Sequence, residues 1–415
     1  MRILIKNIKQ LVQVEAGRTS CFKKGKEAMQ SLPVIQDACL IIENGVIADF
    51  GNAGMLVEKE RGHFDQEIDA KGGFVLPCWC DSHTHLVFAK SREEEFVDRI
   101  KGSSYEEIAQ RGGGILHSAA ALHKMPEEEL YDLALARLET AKNYGTGAIE
   151  IKSGYGLSVE GELKMLRVIR KLKENADLII KATFLGAHAY PPEYRSNRKG
   201  YVQLIMKKML PQIADEGLAD YIDVFCEKGF FSLKYAQVIL ETGLQYGLKI
   251  KMHTNQMNSF GGVQLAAGKG ALSVDHLERM TAGDIKCLSE SFTMGTLLPA
   301  SAFFLNNRYP PARALIDQGV IVALASDYNP GSSPSLNMQF VVSLACIKMK
   351  MLPEEALNAA TLNGAAAMEV ENQLGSITRG KKANVMITKP IPSLPYLPYS
   401  FGENLISRVI LNGKT

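Results

Sequence analysis

Two histidines, His83 and His85, stand two residues apart shortly after the apolar run Gly73-Phe74-Val75-Leu76. That run reads as a buried strand, and the two-residue repeat of a strand turns both imidazoles to one side. Neutral imidazole is the commonest side-chain metal ligand, so two rings on one face can close on a single ion. By itself such a pair is weak evidence, since two histidines at a strand end are often just solvated loop residues. Other reactive side chains, however, recur in the same relation to apolar runs: His188 in Gly186-Ala187-His188, His253 after 248–252, Asp275 and His276 after 272–274, and Asp327 in Ala325-Ser326-Asp327. Five of the eight histidines therefore fall at predicted strand ends, whereas His63, His117 and His123 fall in loops or helical regions and read as ordinary polar residues. Singly, His188 and His276 could be hydrogen-bonded core histidines and Asp327 a helix cap. Converging at one mouth, they predict a metal site with His83, His85, His253 and Asp327 as ligands. Three imidazoles and a carboxylate suit an ion of intermediate hardness and leave room for water.

The elements needed to bring these residues together begin near Phe74, where apolar runs start to alternate with amphipathic helical stretches. Eight strand candidates cover 74–76, 147–151, 178–185, 221–225, 248–252, 272–274, 293–298 and 320–325. Helical spacing of apolar residues marks 127–142, 158–173 and 233–246, the last closing at Gly247. Eight such units predict a (β/α)8 barrel with insertions over 74–370, with its active site at the C-terminal strand ends; a doubly wound sheet is the alternative. Residues 1–73 and 371–415 are strand-rich, with Asn44-Gly45 as a type I′ hairpin turn and 353–368 as a helix before the second segment. They are expected to pair into one small β-sandwich domain built from both chain ends.

Lys plus Arg number 47 against 45 for Asp plus Glu, with no long block of one sign. This balance points away from nucleic acid and membrane surfaces and towards a small-molecule partner. No apolar run approaches the length of a membrane span. Seven cysteines, an odd number scattered without a legible secretory leader, predict free thiols and a cytoplasmic location. Cys78 and Cys80 lack the second pair of a zinc site and read as small core residues.

Two glycine-bearing loops follow predicted strands: Lys152-Ser153-Gly154-Tyr155-Gly156 and Asn329-Pro330-Gly331-Ser332-Ser333. Turn chemistry alone explains their composition. Arg92, beyond His85, could hold a carboxylate with two parallel hydrogen bonds, although most arginines are simply solvated.

The segment from Gly73 to His85 is similar to the opening motif of the amidohydrolase superfamily, and the surroundings of His253, His276 and Asp327 resemble its later ligand strands. More narrowly, the chain resembles the imidazolonepropionase family of histidine degradation. The resemblance is carried by Gly112-Gly113-Gly114-Ile115, the stretch from Glu150 to Leu157, that from Glu162 to Arg167, Leu185-Gly186-Ala187-His188, Asp223-Val224-Phe225-Cys226-Glu227, the stretch from Asp327 to Pro334, and Leu336-Asn337-Met338. It spans nearly the whole chain, and the loops at Tyr155 and Asn329 are far more specific than a pair of histidines.

This resemblance implies hydrolysis of the cyclic amide of 4-imidazolone-5-propanoate to N-formimino-L-glutamate by a homodimer carrying one Zn2+ or Fe ion per subunit. Arg92 and Tyr155 would grip the propanoate tail, and His188 would lie against the ring. Asn329, Gly331 and Ser332 would contact the opened product, and His276 would steady the carbonyl oxygen or the water. One departure matters. The family usually has His-Ala-Asp-Glu where this chain has His253-Thr254-Asn255-Gln256, and that Glu is thought to activate or position the water. An amide cannot take a proton, so Gln256 can orient the water or the substrate but cannot be the general base. The base then falls to Asp327, with His276 sharing the proton. Gln256 also raises two other readings: a deaminase or another cyclic amidase on the same barrel, or a non-catalytic relative.

Overall fold

The computed structural model describes residues 1–15, 21–59, 63–103, 107 and 113–414, with the side chains of 57–59 excepted. Gly112 of the Gly112-Gly113-Gly114-Ile115 motif lies outside the described residues.

The N-terminal strands are β1 (Arg2–Val12), β2 (Val34–Glu43), β3 (Val46–Asn52), β4 (Gln66–Asp69) and β5 (Phe74–Pro77). The barrel strands are β6 (Trp79–Thr84), β7 (Thr146–Lys152), β8 (Ile179–Ala187), β9 (Tyr221–Cys226), β10 (Lys249–Thr254), β11 (Ser273–His276), β12 (Met294–Leu297) and β13 (Val322–Leu324). They lie side by side in sequence order, every neighbouring pair parallel. Helices cross between them, started by side-chain caps. Ser158 accepts from Gly161 N at the head of Val159–Asn175, whose buried face carries Leu163, Leu166, Ile169 and Leu172. Ser232 accepts from Tyr235 N at the head of Leu233–Gln245.

The barrel is drawn shut between β13 and β6 by backbone bonds at the rim: Asp327 N donates to His83 O at 3.0 Å and His85 N to Tyr328 O at 2.8 Å. The buried carboxylate of Asp81 accepts from both the backbone N and the hydroxyl of Ser326, tying the same two strands together lower down. The seam of the barrel is thus also where two expected ligand segments meet.

Phe74–Pro77 is a strand, as expected, but of the other sheet. It pairs in parallel with β1 and antiparallel with β14 (Val385–Thr388), and the first barrel strand starts after it at Trp79. All four of its residues are buried on both faces, so its composition does not distinguish the two sheets. The chain crosses over at Cys78 and Trp79, whose N–H groups donate to Asn384 O and Gly145 O.

With β15 (Ile406–Ile410), the small sheet has seven strands drawn from both chain ends. It encloses its own core of Ile3, Ile5, Ile8, Leu40, Ile42, Val385, Ile387 and Ile410. Asn44 and Gly45 have φ of 49° and 83°, the paired positive values of the type I′ turn between β2 and β3. The single helix expected over 353–368 is instead two, Pro353–Ala360 and Leu362–Ala366. Thr361 breaks it, at φ −119° and ψ −85°, with its hydroxyl turned to Gln13 Oε1 and Leu357 O.

Candidate active site

His83 is the penultimate residue of β6, His253 that of β10, and His276 ends β11, so all three are aimed by strands rather than loops. Their donors converge with those of His85 and Asp327. His83 Nε2 and His85 Nε2 lie 3.4 and 3.6 Å from Asp327 Oδ1, and His85 Nε2 lies 3.4 Å from His253 Nε2. Ligand atoms about 2.0–2.1 Å from a tetrahedral zinc ion are about 3.3 Å apart, so these separations fit a single small cation.

The protons point the same way. His83 Nδ1 lies 2.7 Å from Asp275 Oδ2 and His253 Nδ1 lies 2.8 Å from Asp223 Oδ2. A carboxylate only accepts, so each Nδ1 carries the proton and each Nε2 keeps its lone pair for the centre. His83 Nε2 and Asp327 Oδ2 are buried with no hydrogen-bond partner among the described residues. Burial above all, with the nearby cationic and imidazole groups, holds His83, His85 and His253 well below the usual histidine range, in the neutral form a metal needs.

Beneath the ligands lies a buried ionic layer. Lys152 Nζ is 2.5 Å from Glu150 Oε1, 2.9 Å from Asp223 Oδ2 and 3.5 Å from Asp275 Oδ2, while Lys251 Nζ pairs with Glu150 Oε2. Two ammonium groups thus face three carboxylates, a formal surplus of one negative charge in this layer. Burial opposes the charge on Lys152, but the three carboxylates outweigh it and raise its pKa.

Above the ligands opens a cavity of about 430 Å³. It is lined by His85, His253, His276 and Asp327 and by every side chain expected at the substrate: Arg92, Tyr155, His188, Gln256, Asn329, Gly331 and Ser332. His83 lies behind it, fully buried. His188 stacks on His85 with ring centroids 5.4 Å apart and presents Nδ1 to Gly154 O at 3.0 Å, leaving Nε2 as an acceptor. Burial pulls its pKa down to about 4, so the ring is neutral. Arg92 holds Glu95 Oε2 with Nε and Nη2 at 2.9 and 2.7 Å, while Glu95 Oε1 accepts from Gly114 N. A Cβ on Gly331 would lie 2.3 Å from Arg92 Nη1, so any larger residue there would displace the guanidinium. Asn329 directs its amide into its own loop, accepting from Gly331 N and Ser332 N and donating to Asp327 O. Its side chain therefore shapes the rim.

Glu162 accepts from the N–H groups of Gly154, Gly156 and Leu157 and so fixes the Tyr155 loop. Glu227 does the same for the Gln256 loop through Met257 N and Asn258 N. Asp223, Lys152, Lys251 and Glu278 are not among the site residues expected from the sequence, and Asp275 is expected at its strand end without a role. A signal existed: Glu150 with Lys152, and Lys251 with His253, occupy alternate positions of otherwise apolar strands, which points them into the barrel.

The amidohydrolase family model matches residues 74–415. An imidazolonepropionase of Flavobacterium johnsoniae is 56% identical to the chain, covering 100% of each, and one of Christiangramia forsetii is 54% identical over the same shares. Among solved structures, a Xanthomonas campestris adenosine deaminase with bound zinc superposes with a TM-score of 0.71 at 17% identity, over 99% of this chain and 92% of that one. At that identity the likeness concerns the fold alone. Site geometry and full-length identity meet in one assignment: the chain belongs to the amidohydrolase family and, within it, to the imidazolonepropionases.

Proposed function

We propose that this enzyme opens the ring of 4-imidazolone-5-propanoate by hydrolysis, giving N-formimino-L-glutamate in histidine degradation. What carries the reading is that ligand atoms of His83, His85 and His253 lie within 4.8 Å of one another, as do those of His83, His276 and Asp327, under a cavity that also holds an arginine. These four residues would hold one Zn2+ or Fe ion. Such an ion, when bound, lowers the pKa of water and polarises a carbonyl.

The chain's own groups do the rest. Arg92 and Tyr155 bind the propanoate carboxylate, with Glu95 fixing the plane of the guanidinium. His188 Nε2, an acceptor, takes an N–H of the ring. His276 steadies the carbonyl oxygen or the water. Asp327, buried at the floor of the cavity, is placed to accept the proton of the water and return it. As the water oxygen bonds to the ring carbonyl carbon, that proton goes through Asp327 or His276 to the ring nitrogen, and the carbon–nitrogen bond breaks. Gln256 orients the water or the substrate without titrating. Free thiols at all seven cysteines accord with a cytoplasmic enzyme, and two-fold symmetry is the commonest assembly, so we place it there as a homodimer without nucleic-acid or membrane partners.

The test is purified protein with its metal quantified, assayed for ring-opening of 4-imidazolone-5-propanoate and, in parallel, for ammonia release from purines and pyrimidines. Ring-opening that disappears in Asp327→Ala supports the reading. Ammonia release without ring-opening sinks it in favour of a deaminase.

A further inference from the structure

Glu278 is 2% exposed and follows His276 by two residues, and neither its position nor its charge has a place in the chemistry above. Its Oε1 lies 3.5 Å from His276 Nδ1, and this is its one ion pair among the described residues. Its Oε2 and the Nδ1 of His276 are both buried without a hydrogen-bond partner among the described residues. A carboxylate stripped of water is costly unless something pairs with it, so a buried pair left facing one another across such a gap calls for a reason. The backbone adds to the cost: His276 and Leu277 both have positive φ, 87° and 67°, a conformation that side chains other than glycine rarely adopt twice in succession. That turn is what folds Glu278 back beneath the imidazole. It is pinned from both sides, Leu277 N donating to Thr254 O and Arg279 N to Asn255 O, on the segment that carries His253 and Gln256.

We infer that Glu278 is the positioning residue of His276: it accepts the Nδ1 proton, fixes the tautomer and tilt of the ring, and thereby aims Nε2 into the reaction cavity. It also places beside the reaction centre a carboxylate where Gln256 supplies none, acting through the imidazole rather than on the water. The inference rests on the reading that His276 acts on the carbonyl oxygen or the water, and adds what makes that possible.

The experiment measures kcat, KM and metal per chain on the metal-loaded enzyme with 4-imidazolone-5-propanoate, for His276→Asn, Glu278→Met, the double variant and Glu278→Gln. Glu278→Met is expected to lower kcat about 100-fold, with KM changed less than three-fold and metal content unchanged. Glu278→Gln, whose amide oxygen still accepts, recovers at least ten-fold of that loss. The double variant is no slower than His276→Asn alone within three-fold, because Nε2 is already gone. Wild-type kcat in Glu278→Met, or a double variant as slow as the product of the two single losses, overturns the assignment to Glu278. Wild-type kcat in His276→Asn overturns instead the underlying role of His276. Should Glu278→Met fail to fold, Glu278→Asp keeps the charge but withdraws it by one methylene. There, a kcat loss of ten-fold or more at full metal content supports the inference and wild-type kcat refutes it.

Discussion

The 2.7 Å contact between His83 Nδ1 and Asp275 Oδ2 decides which nitrogen of His83 is left for the reaction centre. Asp275 also accepts from Ser273 Oγ, two residues back on the same strand, so its carboxylate cannot swing away without losing a second bond. Replacing Asp275 with Ala frees the ring of His83 to rotate and to change tautomer. Metal affinity is expected to fall about 10- to 100-fold, read by competition against a chelator of known strength. An unchanged affinity would mean that the ring is held by packing alone.

Lys152 is surrounded by Glu150, Asp223 and Asp275, all fully or almost fully buried. Lys152→Met leaves three carboxylates facing one another with only Lys251 as a counter-charge. Removing one partner from a buried ionic group costs about 3–5 kcal/mol, a loss that denaturant titration of the full chain resolves. The same substitution made together with Asp223→Asn should recover part of that loss, since the carboxylate left without its ammonium is neutralised while the amide oxygen can still accept from His253. No recovery would indicate that Lys152 contributes packing and not charge.

Much of this site was legible before any coordinates, and the reason is periodicity. His83 and His85, His188, His253, His276 and Asp327 each end or follow an apolar run, and in a barrel of parallel strands those ends share one rim. What the sequence concealed was of two kinds. The run at Phe74 is buried on both faces, so no alternation told which sheet it joins, and the barrel was started one strand early. The layer below the ligands was hidden because Glu150, Lys152, Asp223 and Lys251 read as scattered charges. Their meaning depends on strands distant in the chain standing side by side in register. The pairing of both chain ends into one sheet was readable from composition, whereas the break at Thr361 depends on Gln13, far away in sequence.

The guanidinium of Arg92 lies against Gly331 at the cavity and is held in plane by Glu95. Arg92→Ala removes a charge-assisted contact worth about 1.5–3 kcal/mol and leaves Glu95 to repel an anionic tail. KM should rise at least ten-fold while kcat changes less than three-fold. Gly331→Ala should reproduce the direction, because its Cβ can be accommodated only by displacing the guanidinium. Steady-state kinetics on both variants checks this, and an Arg92→Ala enzyme with unaltered substrate dependence refutes the role.

Gln256→Glu separates a handicapped active site from one that has its base elsewhere. Gln256 sits on a loop already anchored by the buried carboxylate of Glu227, so a carboxylate there adds a second negative charge beside the first. A missing general base is worth about 10²–10⁴ in rate. If the amide were the weak point, restoring Glu should therefore raise kcat by a comparable factor. With Asp327 taking the proton and His276 beside it, kcat should instead stay within about three-fold of wild type, and KM should rise because the new charge faces an anionic substrate. A gain in kcat of ten-fold or more would show that proton transfer through Asp327 limits the reaction, and that the amide at position 256 is a defect the rest of the site has not made good.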